Sequence, residues 1–136
     1  MAKELFKVAV ATSDGINVDS HFGHVSEFTI YEVDESKGKG EAIETRRISR
    51  AACDGGCNET DVFKSIAKEL SDVEYVLAAR IGIPAVVALG SEDITALDGV
   101  IPIKEALKKV AMYRKKRNMA EERVKKFLLA NGIEDK

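Results

Sequence analysis

Phe6 to Thr12 is an apolar, β-branched-rich run that predicts a buried first strand. Glu27 to Val33 alternates between polar positions and Phe28, Ile30 and Val33, the pattern of a second strand. Asp34 to Gly40 is polar and glycine-bearing and predicts a hairpin loop. Glu41 to Ile48 alternates more weakly and should return antiparallel as a third strand. From Thr60 to Leu70 the apolar positions Val62, Phe63, Ile66, Ala67 and Leu70 follow helical spacing. Glu74 to Ala79 is a compact apolar strand. Ile83 to Leu89, with Pro84 near its start and Gly90 after it, predicts a short helix. Gly99 to Ile101 is the expected last strand. Pro102 then opens a helix whose Ile103, Ala106, Leu107, Val110 and Tyr113 share one face.

The element order is β-β-β-α-β-α-β-α. An antiparallel hairpin followed by helix–strand units implies an α/β fold with a mixed five-stranded sheet, covered by helices on both faces. Right-handed crossovers place the parallel strands side by side with the first strand central, the pattern of a ribonuclease-H-like three-layer fold. Beyond residue 113 a second helical pattern, Ala120, Val124, Phe127 and Leu128, predicts an extra C-terminal helix, stopped by Asn131-Gly132. The chain thus divides into a core domain, residues 1–113, and a basic C-terminal helical extension, residues 114–136.

A length of 136 residues suffices for one domain with a real core. No apolar run approaches the ~20 residues of a membrane span, and the start lacks the apolar segment of a signal peptide, so a cytoplasmic protein without a membrane partner is expected. A net charge of −2 predicts no nucleic-acid partner. The charge is uneven, with Lys108, Lys109, Arg114, Lys115, Lys116, Arg117, Arg123, Lys125 and Lys126 crowded near the C-terminus. Glu121 and Glu122 interrupt that cluster, and no aromatic residues interleave as single-strand binding would require.

Both histidines, His21 and His24, fall in one short segment, Asp14 to His24, just after the first strand. Neutral imidazole ligates borderline metals, and loops leaving the ends of buried strands are where α/β proteins place their sites. Asp14-Gly15 supplies a turn. Arg80-Ile81-Gly82-Ile83-Pro84 leaves the fourth strand at the same edge, where a cation favours an anionic ligand; a tight turn would account for Gly82 but not for Arg80. Cys53-Asp54-Gly55-Gly56-Cys57 is a second candidate loop, whose glycines let both sulfurs face one concavity. Two thiolates do not complete a zinc site or a cluster, which take four ligands. Partial ligation of a pre-made cluster, a redox pair, or inert thiols remain open for Cys53 and Cys57. Nuclease chemistry of the ribonuclease-H kind needs a carboxylate on the central strand, and Val8-Ala9-Val10-Ala11 carries none. There is no phosphate-binding glycine loop of either common kind; Gly38-Lys39-Gly40 lacks the surrounding sequence.

Val8 to Gly15, Val18-Asp19-Ser20-His21-Phe22-Gly23-His24, Phe28-Thr29-Ile30-Tyr31 and the Cys53–Cys57 loop resemble the dinitrogenase iron–molybdenum cofactor biosynthesis family, of the NifX, NafY and NifB C-terminal-domain type. The resemblance runs from about Lys7 to Tyr113. It implies a ribonuclease-H-like fold without nuclease activity. It also implies that the protein is a carrier rather than an enzyme, binding as cargo an iron–sulfur cluster, either the iron–molybdenum cofactor or its precursor. His21 matches the histidine of the family's His-Phe-Gly motif. Joined with the loops read above, it gives a candidate cofactor-binding set of His21, Gly23, His24, Cys53, Cys57 and Arg80, with His21, Cys53 and Cys57 as metal ligands. Expected partners are cofactor-assembly or nitrogenase proteins, with the chain a monomer or a homodimer. The radical-SAM cysteine pattern that builds such clusters is missing from this chain. Two other functions fit the residues: an interaction module docking through its basic C-terminal helix, and a thiol redox or small-metal protein using Cys53 and Cys57.

Overall fold

The computed structural model describes residues 5–23, 27–48 and 59–130. Five strands, β1 (Leu5–Val10), β2 (Glu27–Asp34), β3 (Lys39–Arg47), β4 (Tyr75–Ala78) and β5 (Thr95–Asp98), form one sheet in the order β3-β2-β1-β4-β5. The β1–β2 and β2–β3 pairs are antiparallel, and β1–β4 and β4–β5 are parallel. Helices α1 (Glu59–Glu69), α2 (Ile83–Gly90) and α3 (Ile103–Ala130) complete the expected β-β-β-α-β-α-β-α order. The mixed sheet with β1 at its centre is the predicted three-layer α/β arrangement.

Pleating sends alternate residues of each central strand to opposite faces. Ala9 and Ala11 of the first segment, Phe28 and Ile30 of β2, and Val76 and Ala78 of β4 meet Phe63, Ile66, Ala67 and Leu70 of α1 and Ala85, Ala88 and Leu89 of α2. Phe6, Val8 and Val10 of β1, Val33 of β2, and Tyr75 and Leu77 of β4 meet Ile103, Ala106, Leu107, Val110 and Ala111 of α3. The small side chains at Ala9, Ala11 and Ala78 leave room for a cluster of three phenylalanines on the α1–α2 side. β3 is an edge strand, exposed along most of its length. Its charged residues blunt the open edge. Arg46 also ties it to the turn before β4, donating to Asp72 (2.7 Å) and to the Glu69 carbonyl (3.0 Å).

Two elements differ from expectation. The last strand lies at Thr95–Asp98 rather than at 99–101. Asp93, in a left-handed conformation (φ 61°), reverses the chain after α2 and buries Ile94, so pairing with β4 begins at Thr95 opposite Tyr75. Gly99 (φ 146°) then turns the chain out of the sheet. The two helices predicted around residue 114 are one unbroken helix, α3, of 28 residues and about 42 Å. No glycine or proline interrupts it between Ile103 and Ala130.

Arg114 belongs to the core's perimeter and not to a free basic patch. Its guanidinium lies 4.5 Å from the Phe6 ring centroid and bonds Glu35 and, at 2.8 Å, Glu74. It fastens α3 to the β2–β3 turn and to the start of β4. Arg114→Ala removes the cation–π contact and leaves the shielded Glu35 carboxylate unpaired. It is expected to lower stability by about 1–3 kcal/mol in urea or thermal unfolding, with Arg114→Lys recovering only part of that.

Candidate functional site

β1 and β4 are adjacent and parallel, and the chain leaves their carboxyl ends in opposite directions, toward β2 and toward β5. Such a switch point opens a crevice between the loops, the usual site position in open α/β sheets. The first of these loops is built by Asp14. Its Oδ1 accepts hydrogen bonds from the backbone N–H groups of Ile16 (2.8 Å) and Asn17 (2.9 Å), while Gly15 takes φ 74°. The backbone donors of Asn17 and Ile16 hold the Asp14 carboxyl down to about 2. Asp19 clamps the loop's base, accepting from the Ser13 hydroxyl (2.7 Å) and backbone N–H (2.8 Å), bonds that lower its pKa. Both carboxylates are occupied in shaping the loop. β1 itself bears no carboxylate.

The loop then runs beside the continuation of β4. Ala79 N–H donates to the Ser20 carbonyl (2.8 Å), Phe22 N–H donates to the Arg80 carbonyl (3.0 Å), and His21 and Arg80 form an isolated parallel bridge. Phe22 anchors this segment. It is buried between Phe28 and Phe63, with ring centroids 5.7 and 5.5 Å away. His21, one residue before that anchor, is exposed, as is Arg80. Arg80 has no ion-pair partner among the described residues. An imidazole and a guanidinium are thereby presented on adjacent backbone segments whose positions the sheet fixes. An imidazole can ligate a metal, and a guanidinium can neutralise an anion beside it.

Gly23 and Gly82 flank this pair. Among the described residues, a Cβ added at Gly23 would meet nothing within 4 Å, and one at Gly82 only Pro84 at 3.7 Å. Gly82 caps α2 with φ −73° and ψ 163°, which any residue adopts. The turn explanation for Gly82 therefore fails: neither backbone strain nor crowding requires glycine there. His24, Cys53 and Cys57 lie outside the described residues, and among the described ones no three His, Cys, Asp or Glu side chains gather as a metal site. The structure thus brings His21, Gly23 and Arg80 together. The Ser13–Asp19 clamp was not foreseen; Asp at six residues' remove from Ser has no local sequence signature.

Residues 5–113 match the family described as dinitrogenase iron-molybdenum cofactor. The chain belongs to this family. It is 43% identical over 75 residues to the FeMo cofactor biosynthesis protein NifB of Herbaspirillum seropedicae, covering 55% of this chain and 14% of that protein. With NifB of Rhodobacter capsulatus it is 40% identical over 91 residues, 67% of this chain and 20% of that one. The chain therefore spans a fifth or less of these relatives' length. The solved structure of PH0822 shares the fold, with a TM-score of 0.56 at 20% identity over 77% of this chain and 89% of that one.

The Asp14 bonds make the loop acid-sensitive. A carboxyl whose folded pKa is depressed stabilises its surroundings above the unfolded value of 3.8 and loses that contribution as pH falls through about 2. Amide protection at Ile16 and Asn17, followed by hydrogen exchange, is expected to decline between about pH 4 and pH 2. Asp14→Asn, which keeps an acceptor without the charge, should flatten that decline.

Proposed function

We propose that the chain binds and carries an iron–sulfur metallocluster, the nitrogenase iron–molybdenum cofactor or its NifB-type precursor, during cofactor biosynthesis in the cytoplasm, without catalysing a reaction on it. The observation that carries this reading is the bridge that fixes His21 beside Arg80 at the carboxyl ends of β1 and β4. In this reading His21 ligates an exposed iron, and Arg80 with nearby backbone N–H groups offsets the anionic charge of the cluster. Cys53, Cys57 and His24 are the further donors the sequence offers. The uncrowded glycines at 23 and 82 support the same reading, because they allow a bulky ligand to approach the backbone on both sides of the pair.

Anaerobic apo-protein mixed with isolated cofactor precursor should retain iron after gel filtration. His21→Ala, an exposed substitution without a core cost, should reduce retention about tenfold or more. Gly82→Ala should leave stability within about 1 kcal/mol of wild type yet weaken retention. Failure of the wild-type chain to retain iron overturns the carrier reading, and equal retention by His21→Ala overturns His21 as ligand.

A second reading is favoured by the far half of α3. Among the described side chains of this helix Ala111 is the last buried one; Met112, Tyr113 and Met119 are about half exposed, among Lys115, Lys116 and Arg123. Between Arg114 and Ala130 there are seven basic residues and two acidic ones. That excess suits an acidic face of an assembly protein and disfavours a second copy of the same helix. Deleting residues from Arg114 onward would also remove the tie to Glu35 and Glu74, so charge reversal is the cleaner test. Lys115→Glu with Lys116→Glu should cut the association rate with a partner such as NifB about tenfold or more at low salt while leaving iron retention intact. Surface plasmon resonance across a salt series reads this directly.

A further inference from the structure

At the end of the sheet away from His21, the β2–β3 turn leans on α3. Asp34 organises the turn: its carboxylate accepts from the Ser36 N–H (2.9 Å), and its carbonyl from the Gly38 N–H (2.8 Å). Gly38 takes φ 66°. Gly40 is there for closeness. An added Cβ would lie 2.8 Å from Val33 Cγ2, 3.0 Å from Leu107 Cδ1 and 3.1 Å from the Glu32 carbonyl oxygen. A Cβ at Gly38 would sit 3.6 Å from Lys108 Cγ. The two glycines therefore let Lys39, at the start of β3, approach Lys104 and Lys108, which are i,i+4 neighbours on one face of α3.

These residues enclose a cleft of about 350 Å³ lined by Gly38, Lys39, Gly40, Lys104, Leu107 and Lys108. Its lining includes three lysines and no acidic residue. None of the three has an ion-pair partner among the described residues. On the far side of Lys39 an adjoining cleft does carry acids, Glu32, Asp34 and Glu41, with Lys37. The charge thus changes sign across the β3 edge, and the positive side is the one walled by Leu107.

We infer that this cleft is an anion site for a small molecule bearing an oligophosphate group. Three lysines on one cleft, with stems flexible enough to bring their ammonium groups to a shared ligand, suit the several oxygens of a phosphate chain; they lack the planar fork with which arginine selects a carboxylate. The volume lies in the range of small-molecule sites, and Leu107 offers an apolar wall to whatever the phosphates are attached to. With the turn's own N–H groups engaged, binding falls to the lysines. The site is independent of the proposed cluster site, since it shares no residue with it and lies at the opposite sheet end.

The test is titration of the full chain with inorganic triphosphate in metal-free buffer at low salt, by calorimetry, with amide shifts mapped by NMR. One-to-one binding is expected, with shifts centred on residues 38–40 and 104–108. Lys104→Gln with Lys108→Gln should weaken it about tenfold or more. Lys115→Gln with Lys116→Gln, an equal loss of charge farther along α3, should change it less than about twofold. His21→Ala should bind as wild type, which separates this site from cluster binding. A nucleoside triphosphate binding tighter than triphosphate places the attached group against Leu107; equal affinity assigns recognition to the phosphates alone. Absence of saturable binding, or equal weakening by both lysine pairs, overturns the site.

Discussion

The parallel pairing of β1 with β4 is the constraint on which the rest of this molecule depends. Both strands are buried on both faces, so every side chain from Val8 to Ala11 and from Tyr75 to Ala78 is apolar apart from the Tyr75 hydroxyl. Parallel neighbours cannot be joined by a tight turn, so the chain must cross over through helices; α1 and α2 become the layer over one face, and α3, after the last strand, covers the other. A strand buried in this way also cannot carry the polar groups of a site. Chemistry is displaced to the loops at the carboxyl ends, where Ser20 to Phe22 continue the ladder along Ala79 and Arg80. The rigidity of the centre passes outward through those backbone bonds, so exposed side chains at His21 and Arg80 rest on a fixed frame.

A second constraint acts at the opposite edge. β3 has little helix over it, and a three-layer domain with one bare strand is exposed to loss of its last hairpin. The chain holds that edge with charge rather than with apolar burial. Arg46 ties β3 to Asp72, and Arg114 ties the β2–β3 turn and β4 to α3. The Arg46–Asp72 bond keeps the Asp72 carboxyl down at about 2, so this tie, like the Asp14 loop, acts above the ordinary carboxylate range and weakens in acid. Exposed pairs contribute little singly. Arg114 is different because Phe6 and Glu35 shield it, and a shielded pair is costly to break.

Much of this was legible in the sequence, for reasons that can be assigned. β2 and α1 have apolar patterns long enough to fix their period, β1 and β4 are short continuous apolar runs, and their order with right-handed crossovers puts β1 in the centre. The proximity of the His21 and Arg80 loops followed from that order, since both leave the carboxyl ends of neighbouring strands. β5 was displaced because Val100 and Ile101 are more β-prone than Thr95 to Asp98, while the true register is set by the Asp93 turn and by pairing with β4. Arg114 was grouped with its basic neighbours because a run of like charges conceals which member faces inward. Only the helix phase, with Ala111 buried and Glu74 and Glu35 opposite, singles it out. Gly82 suggested a turn, whereas its dihedrals need no glycine.

The exposure of His21 and Arg80 bears on the kind of binding such a site supports. Enclosed small-molecule pockets bury most of their ligand, and escape then requires the protein to open. Here the two groups are exposed, on backbone that the sheet holds in place, so a ligand bound as proposed would engage a few strong directional bonds instead of a wide apolar contact. Rigid placement lowers the ordering cost of forming those bonds, and exposure leaves the ligand's other face accessible to an acceptor. Affinity differences among related complexes reside mainly in dissociation rates. A site made of few bonds on a rigid frame can therefore change its residence time greatly when an acceptor competes for one of them. The proposed transfer of a cargo requires that property, and burying β1 completely, which moves polar groups out to its loop, is compatible with it.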